Sequence, residues 1–433
     1  MTRYIIIGMG VAGISAAETL RTLDQSAEIA MISDEPHGYY SRPGLAYSLN
    51  AEIPEKYLYP FSEKDWKALD LRCMTGRVTH LDPLAHQIEV DPSGPLKYDR
   101  LLLATGANAV PLNVPGKDLK GVVKLDHLED ERQILSLCRH AKTAVVVGGG
   151  VIALELIEGL IAHKIKVHYL LRGDRYWTNV LDEAESRLIE NRLVHDGVVL
   201  HFRTEIAQIQ GRRGRVSAVQ TTQGEVIPCR LVAVGVGVKP RMQLAQQAGL
   251  KTERGILTDE FLQTSAADIF AAGDVAQIFD LTTKHALIDN LWHPGREQGR
   301  IAALNMAGQR QPYYRSVAVN VLRLAGIMIT IIGAVGSGRD EDLVSVARGS
   351  SETWLQLPNT IAMENSGELS HVRLMVGERT LLGALVMGDQ KLSLPLQELI
   401  ATQTDITPIR SQLLQPDASL GQVVMDFWSR TKN

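Results

Sequence analysis

Tyr4-Ile5-Ile6-Ile7-Gly8-Met9-Gly10-Val11-Ala12-Gly13 stands near the start of the chain, and Ala144-Val145-Val146-Val147-Gly148-Gly149-Gly150-Val151-Ile152-Ala153 repeats its plan further on. In each, an apolar strand runs into a G-x-G-x-x-G/A turn and then into a helical pattern. The first glycine permits the tight turn, the second lets the backbone approach a pyrophosphate, and the third small residue lets helix pack on strand. The anion then rests on N–H groups that a helix N-terminus leaves unpaired. One such motif also fits an ordinary glycine turn. Two in matching context predict two dinucleotides held at once, and the usual reason to hold two is to pass a hydride between them. The expected fold is α/β, with two Rossmann-like dinucleotide-binding domains and a smaller third part.

Composition narrows the remaining classes. The chain has 433 residues, room for roughly three domains at ~150 residues each. Apolar residues make up 45% and charged residues 22%, as in soluble globular domains. A net charge of −4 offers no basic excess for nucleic acid. No apolar run reaches the ~18 residues of a membrane span. The most apolar stretch, Leu324 to Val335, contains two glycines and reads as a buried strand. The first strand feeds straight into the first glycine turn, so a cleaved leader would destroy the site, and a cytoplasmic location is expected. Cys73, Cys138 and Cys229 are the three cysteines. None has C-x-x-C or zinc spacing, so they read as incidental thiols of a reducing compartment, and no metal site is expected.

Patterning along the chain gives the organisation. Residues 1–113 form the first part of one nucleotide domain, with a helix from about Ala12 to Thr22 and a strand over Glu28–Ile32. Asp34 and Glu35 follow, roughly 20 residues beyond the last glycine of the turn, where an acid bonds a ribose hydroxyl pair. The alternative is a solvated acidic turn. Pro36 to Leu45 is too rich in Pro, Gly and aromatics for a long regular element and reads as a site-bearing loop. Leu101-Leu102-Leu103 is a buried strand whose small tip, Ala104-Thr105-Gly106, admits a ligand to the backbone. Residues 114–236 form the second nucleotide domain, inserted in the first, with a helix over Ile152–His163 and a strand over Lys166–Leu171. Residues 237–313, beginning at Gly237, complete the first domain. They hold the strand Ile269-Phe270-Ala271-Ala272 ending in Gly273-Asp274, then a helix over Pro294–Ala307. Residues 314–433 read as a small C-terminal α/β module with a hairpin around Gly377-Glu378-Arg379 and no cofactor motif.

With both glycine turns, the Tyr40-Ser41-Arg42-Pro43-Gly44-Leu45 loop, Ala104-Thr105-Gly106 and Ala271-Ala272-Gly273-Asp274 in hand, the chain resembles the FAD-dependent pyridine nucleotide oxidoreductases with two dinucleotide-binding domains. Within them it is similar to the rubredoxin and ferredoxin reductase, nitrite reductase flavin-domain and NADH oxidase branch. The resemblance covers residues 1–313 closely and the remainder in general pattern. It implies that Gly8, Gly10, Val11, Ala12 and Gly13 hold the FAD pyrophosphate, and that Asp34 or Glu35 holds its ribose. It puts Arg42 and Pro43 near the isoalloxazine ring. Ala104, Thr105, Gly106, Gly273 and Asp274 line the rest of the FAD site. Trp292 lies near the flavin, the alternative being an ordinary core tryptophan. Gly148, Gly150, Val151, Ile152 and Gly237 belong to the NAD(P) site. Glu155 faces the nicotinamide–flavin junction, the alternative being simple helix-end electrostatics. Glu155, Arg42 and Trp292 are the implied catalytic residues.

Three departures from the family pattern shape the expected activity. Where related branches carry one or two redox cysteines, this chain has Ser41, Arg42, Pro43 and Gly44, which disfavours disulfide and sulfenic chemistry. At the second ribose position stands Leu171, followed by Arg172 and Arg175. A guanidinium suits a 2′-phosphate, so NADH and NADPH both stay open. A lysine common in relatives after the Arg-Pro pair is replaced within Gly44-Leu45-Ala46-Tyr47. The expectation is an FAD-dependent NAD(P)H:acceptor oxidoreductase that passes hydride from NAD(P)H to FAD and electrons on to a rubredoxin- or ferredoxin-type carrier. Alternatives are an NAD(P)H oxidase using oxygen and a non-enzymatic FAD- and NAD(P)H-binding regulatory or assembly flavoprotein. A homodimer through residues 314–433 is a further expectation.

Overall fold

The computed structural model describes residues 1–281, 283–336, 361–366 and 370–432. The chain divides into two compact units. The first comprises Met1–Val110, Asp126–Glu131 and Val238–Arg315, and the second Pro111–Leu125, Arg132–Gly237 and Ser316–Asn433.

The first unit is built on a five-stranded sheet in the order Ile269–Ala271, Arg100–Leu103, Arg3–Ile7, Glu28–Ser33, Arg72–Thr75. All its pairings are parallel, with Ile7 opposite both Ile32 and Leu103. Parallel sheets are covered on both faces, which is why these strands read as unbroken apolar runs. Tyr4 to Ile7 and Leu101 to Leu103 are all buried. The helix Val11–Leu23 packs against this core through Ile14, Ala16, Ala17 and Leu20. Gly299 of the helix Trp292–Met306 admits close approach, since a Cβ there would lie 2.1 Å from the Ala12 carbonyl oxygen.

The second unit repeats the plan. Its five-stranded sheet runs Val199–His201, Lys166–Leu170, Thr143–Val147, Leu231–Val234, Val122–Val123, again parallel throughout. A second five-stranded sheet follows, antiparallel, in the order Val319–Leu324, Ile327–Gly333, Leu381–Met387, His371–Val376, Ile361–Ser366. The apolar stretch from Leu324 thus becomes a turn at Ala325-Gly326 and the strand Ile327–Gly333, with Ile329, Ile331 and Ile332 fully buried. Helices Ser393–Ala401, Thr407–Leu413 and Leu420–Thr431 supply Leu396, Ile409 and Val424 to one apolar core with Leu374, Ala384 and Val386.

Within this second unit, an ion network joins the helix Glu183–His195 to the antiparallel sheet. Glu185, fully buried, accepts from Arg373 Nε at 2.9 Å and Nη2 at 3.0 Å, with His371 Nε2 at 3.1 Å. Arg373 is further satisfied by the carbonyls of Val335 and Val180. Burial opposes the Glu185 charge, yet His371 and the Arg373 guanidinium hold its carboxyl below the usual range.

Candidate functional site

Each parallel sheet has its crevice at the carboxyl end of its central strand, where the chain leaves for a helix on one side while the neighbouring strand lies on the other. In the first unit Gly8 holds φ +114°, and a Cβ there would lie 2.1 Å from the Ala104 carbonyl oxygen. A Cβ on Gly13 would meet the Gly8 carbonyl oxygen at 2.1 Å. Both glycines are therefore demanded by the fold. Gly10 differs, because a Cβ there would meet no atom within 4 Å and its φ of −81° suits any residue. Its openness is a cradle that a side chain would fill. The second unit is built alike: Gly148 has φ +143°, and its Cβ would sit 2.2 Å from the Gly235 carbonyl oxygen.

Capping shows what these helix starts lack. Helices Glu63–Leu69 and Glu183–His195 carry capping boxes, Ser62 with Asp65 and Asp182 with Glu185, and acids in their first turns. Helices Val11–Leu23 and Val151–Ala162 start at Gly10 and Gly150, with no side-chain cap and no acid in the first turn. Their positive ends are left for an external anion. A pyrophosphate fits both places.

Around the first turn the structure assembles an acid and its partners. Glu35 is the more buried of the acidic pair, its side chain 15% exposed against 35% for Asp34. Glu35 pairs with Arg42 and accepts from the Tyr40 hydroxyl at 2.6 Å. His127 Nδ1 lies 3.3 Å from Glu35 and 2.9 Å from Arg42 Nη1. Arg42 also donates to the Asp126 carbonyl at 2.8 Å. Burial works against the Glu35 charge, but His127, the Arg42 guanidinium and the Tyr40 hydroxyl hold its carboxyl far below the usual range. Asp34 instead faces Arg77 and Arg241, at 3.4 and 3.6 Å. Arg42 thus stands on the Glu35 side of the crevice, and Pro43 begins the short helix Gly44–Leu49. Tyr40, His127 and Arg241 were not singled out by sequence pattern. His127 and Arg42 are 85 positions apart, and no local signal links them.

On the other side of the crevice, Gly273 adopts φ +78° and its N–H donates to Gln298 Oε1 at 2.8 Å. Asp274 follows, half-buried. Thr105 Oγ1 donates to the Arg241 carbonyl at 3.1 Å, and Gly106, at φ +70°, borders open space. Trp292 is 43% exposed, with the Arg296 guanidinium 5.7 Å from its ring centroid, so the core-tryptophan alternative is excluded.

In the second unit Val151 is buried and Ile152 and Glu155 are half-buried on their helix, and Gly237 holds φ +112°. Leu171 is buried, Arg172 is exposed, and Arg175 Nη2 donates to the Leu181 carbonyl at 3.3 Å. Of the two arginines, Arg172 is the one directed to solvent.

Two glycine-turn crevices of one design, each at a switch point of a parallel sheet, define a protein that binds two dinucleotides. The chain belongs to the pyridine nucleotide-disulphide oxidoreductase family, whose model matches residues 2–300. It is 28% identical over 421 residues to the assimilatory nitrate reductase electron transfer subunit of Bacillus subtilis, covering 96% of this chain and 51% of that protein. The chain therefore spans about half the length of that relative. It is 33% identical over 355 residues to the ferredoxin–NAD(+) reductase component of the biphenyl dioxygenase system of Paraburkholderia xenovorans, covering 80% and 84% of the two chains. In fold it matches the ferredoxin reductase for the CYP199A2 system from Rhodopseudomonas palustris, with a TM-score of 0.85, 24% identity and coverage of 98% and 100%. Among the described residues, no helix is long and apolar enough to cross a membrane.

Proposed function

We propose that the chain passes electrons from NAD(P)H, by way of FAD, to a small rubredoxin- or ferredoxin-type carrier protein, without a redox-active cysteine. The supporting observation is the loop Ser41–Gly44, where the disulfide-reducing branches place their cysteines and this chain commits Arg42 to Glu35. Burial pushes the Cys138 thiol up to about 11 and the Cys229 thiol up to about 12, which suppresses the thiolate that nucleophilic or redox work requires. Partial desolvation also shifts the Cys73 thiol upward, although the residue reaches the surface. The Paraburkholderia relative, a ferredoxin–NAD(+) reductase component, supports the carrier.

FAD, when bound, would supply a hydride acceptor for NAD(P)H that can release its two electrons singly or together. The chain's own residues bind and orient. In this reading Gly8, Gly10, Gly13, Glu35 and Asp274 hold FAD in the first nucleotide domain, residues 1–113 and 237–313. Gly148, Gly150 and Glu155 hold and orient NAD(P)H in the inserted domain, residues 114–236. Residues 314–433 form an interface module, with a homodimer as one use.

Anaerobic titration with NADH and NADPH, then addition of rubredoxin- and ferredoxin-type proteins, tests the proposal. Bleaching by the nicotinamide followed by catalytic reduction of a carrier is expected. Reoxidation by air within milliseconds would point to the oxidase instead, and failure to bleach with either nicotinamide to a non-enzymatic flavoprotein.

A further inference from the structure

Asn290 is 4% exposed, and among the described residues neither its Oδ1 nor its Nδ2 has a hydrogen-bond partner. An orphaned buried carboxamide is rare, because burying an unpaired amide is unfavourable by kcal amounts. Its place in the fold suggests what completes it. Asn290 stands two positions before the helix Trp292–Met306. A Cβ on Gly295 of that helix would lie 3.3 Å from Val11 Cγ1 and 3.8 Å from Gly273 Cα. The first turn of this helix therefore lies against the start of the pyrophosphate helix and the Gly273-Asp274 turn.

Sheet order then fixes which half of the dinucleotide this is. The pyrophosphate cradle sits at the end of the central strand Arg3–Ile7. Glu35 lies beyond Glu28–Ser33 on one side, and Gly273-Asp274 beyond Ile269–Ala271 on the other. A ribose-binding acid marks the adenosine half, so the flavin half extends toward Asp274 and Asn290.

We propose that Asn290 is a flavin-positioning residue whose carboxamide pairs with the amide-like pyrimidine edge of the isoalloxazine ring. Oδ1 accepts from the ring N3–H, and Nδ2 donates to an adjacent ring carbonyl. The donor to that carbonyl favours the electron-richer reduced ring. The inference rests on FAD occupying the first unit.

The test is Asn290→Leu, nearly isosteric and apolar, compared with wild type in apo and FAD-loaded forms. With the orphan removed, the apoprotein melts no lower than wild type. FAD binding weakens about 10-fold, as for one lost hydrogen-bonded amide contact. The midpoint potential falls by roughly 30 mV if reduced FAD loses tenfold more than oxidised FAD. A second measurement needs no variant: wild-type apoprotein binds 3-methyl-FAD, which lacks the N3–H, about 10-fold more weakly than FAD. An Asn290→Leu apoprotein that melts well below wild type overturns the inference, as does equal wild-type affinity for FAD and 3-methyl-FAD. Failure of wild-type apoprotein to bind FAD at all would instead remove the reading beneath it.

Discussion

Gly10→Ala separates a glycine kept for a ligand from one kept for the fold. At Gly10 the backbone is at φ −81° and ψ −174°, and an added Cβ meets nothing within 4 Å. The apoprotein should tolerate the change, and by restricting the unfolded chain alanine adds ~0.4–1 kcal/mol of stability. The methyl group would occupy the space in which a pyrophosphate approaches the helix N-terminus. Displacing the anion from one charge-assisted N–H contact costs ~1.5–3 kcal/mol, roughly a 10- to 150-fold loss of FAD affinity. At Gly8 the same substitution places Cβ 2.1 Å from the Ala104 carbonyl oxygen with φ at +114°, so Gly8→Ala should destabilise the apoprotein itself. The assay is thermal melting of each apoprotein, followed by fluorescence titration with FAD. The reasoning fails if Gly10→Ala apoprotein melts well below wild type, or if it binds FAD with unchanged affinity.

Arg373→Met leaves Glu185 buried with its principal cationic partner gone, and should lower unfolding free energy by ~3–5 kcal/mol. The double variant Glu185→Leu/Arg373→Met should recover most of that loss in denaturant melts. Burial lowers the His371 pKa, but its hydrogen bond to Glu185 and the charges of Glu185, Asp182 and Glu364 outweigh this and raise it above 6.5. Its stabilising contribution is therefore complete below pH 6.5 and is lost as pH rises through the folded value. The melting-temperature gap between wild type and His371→Gln should accordingly be wider at about pH 6 than at about pH 9. If a 2′-phosphate docks beside the buried Leu171, the exposed Arg172 is the guanidinium that would meet it. Arg172→Ala should lower kcat/KM for NADPH about 10-fold, as for loss of one charge-assisted contact, with NADH nearly unaffected; equal effects on the two would refute the assignment.

Short-range demands are what a sequence writes down. Gly8 and Gly148 were readable because a strand that turns sharply into a helix requires positive φ within a few residues, whatever surrounds it. The parallel strands were readable because coverage on both faces demands unbroken apolar runs such as Ile5–Ile7 and Leu101–Leu103. Glu35 and Arg42 lie seven positions apart, and the loop that carries Arg42 announced itself by composition. The helices Thr407–Leu413 and Leu420–Thr431 left a weaker mark, since the first is short and begins beside Pro408.

Other features exist only once distant segments are packed. Sequence alone offered Asp34 and Glu35 as equals, and burial beside Arg42, Tyr40 and His127 separated them. It left Trp292 between a place near the flavin and the core, and left Arg172 and Arg175 undivided, until exposure set aside the core for Trp292 and the Leu181 carbonyl engaged Arg175. Nothing local marks Arg373 as the partner of Glu185, 188 positions away, or Asn290 as a buried amide lacking a partner among the described residues. The glycine turns, the two nucleotide folds and the absence of paired cysteines were thus set by local geometry and composition. Which charges are buried, which are paired, and which buried polar groups lack a partner among the described residues were decided by tertiary packing, because desolvation and partnership depend on every atom nearby and on none of their sequence distances.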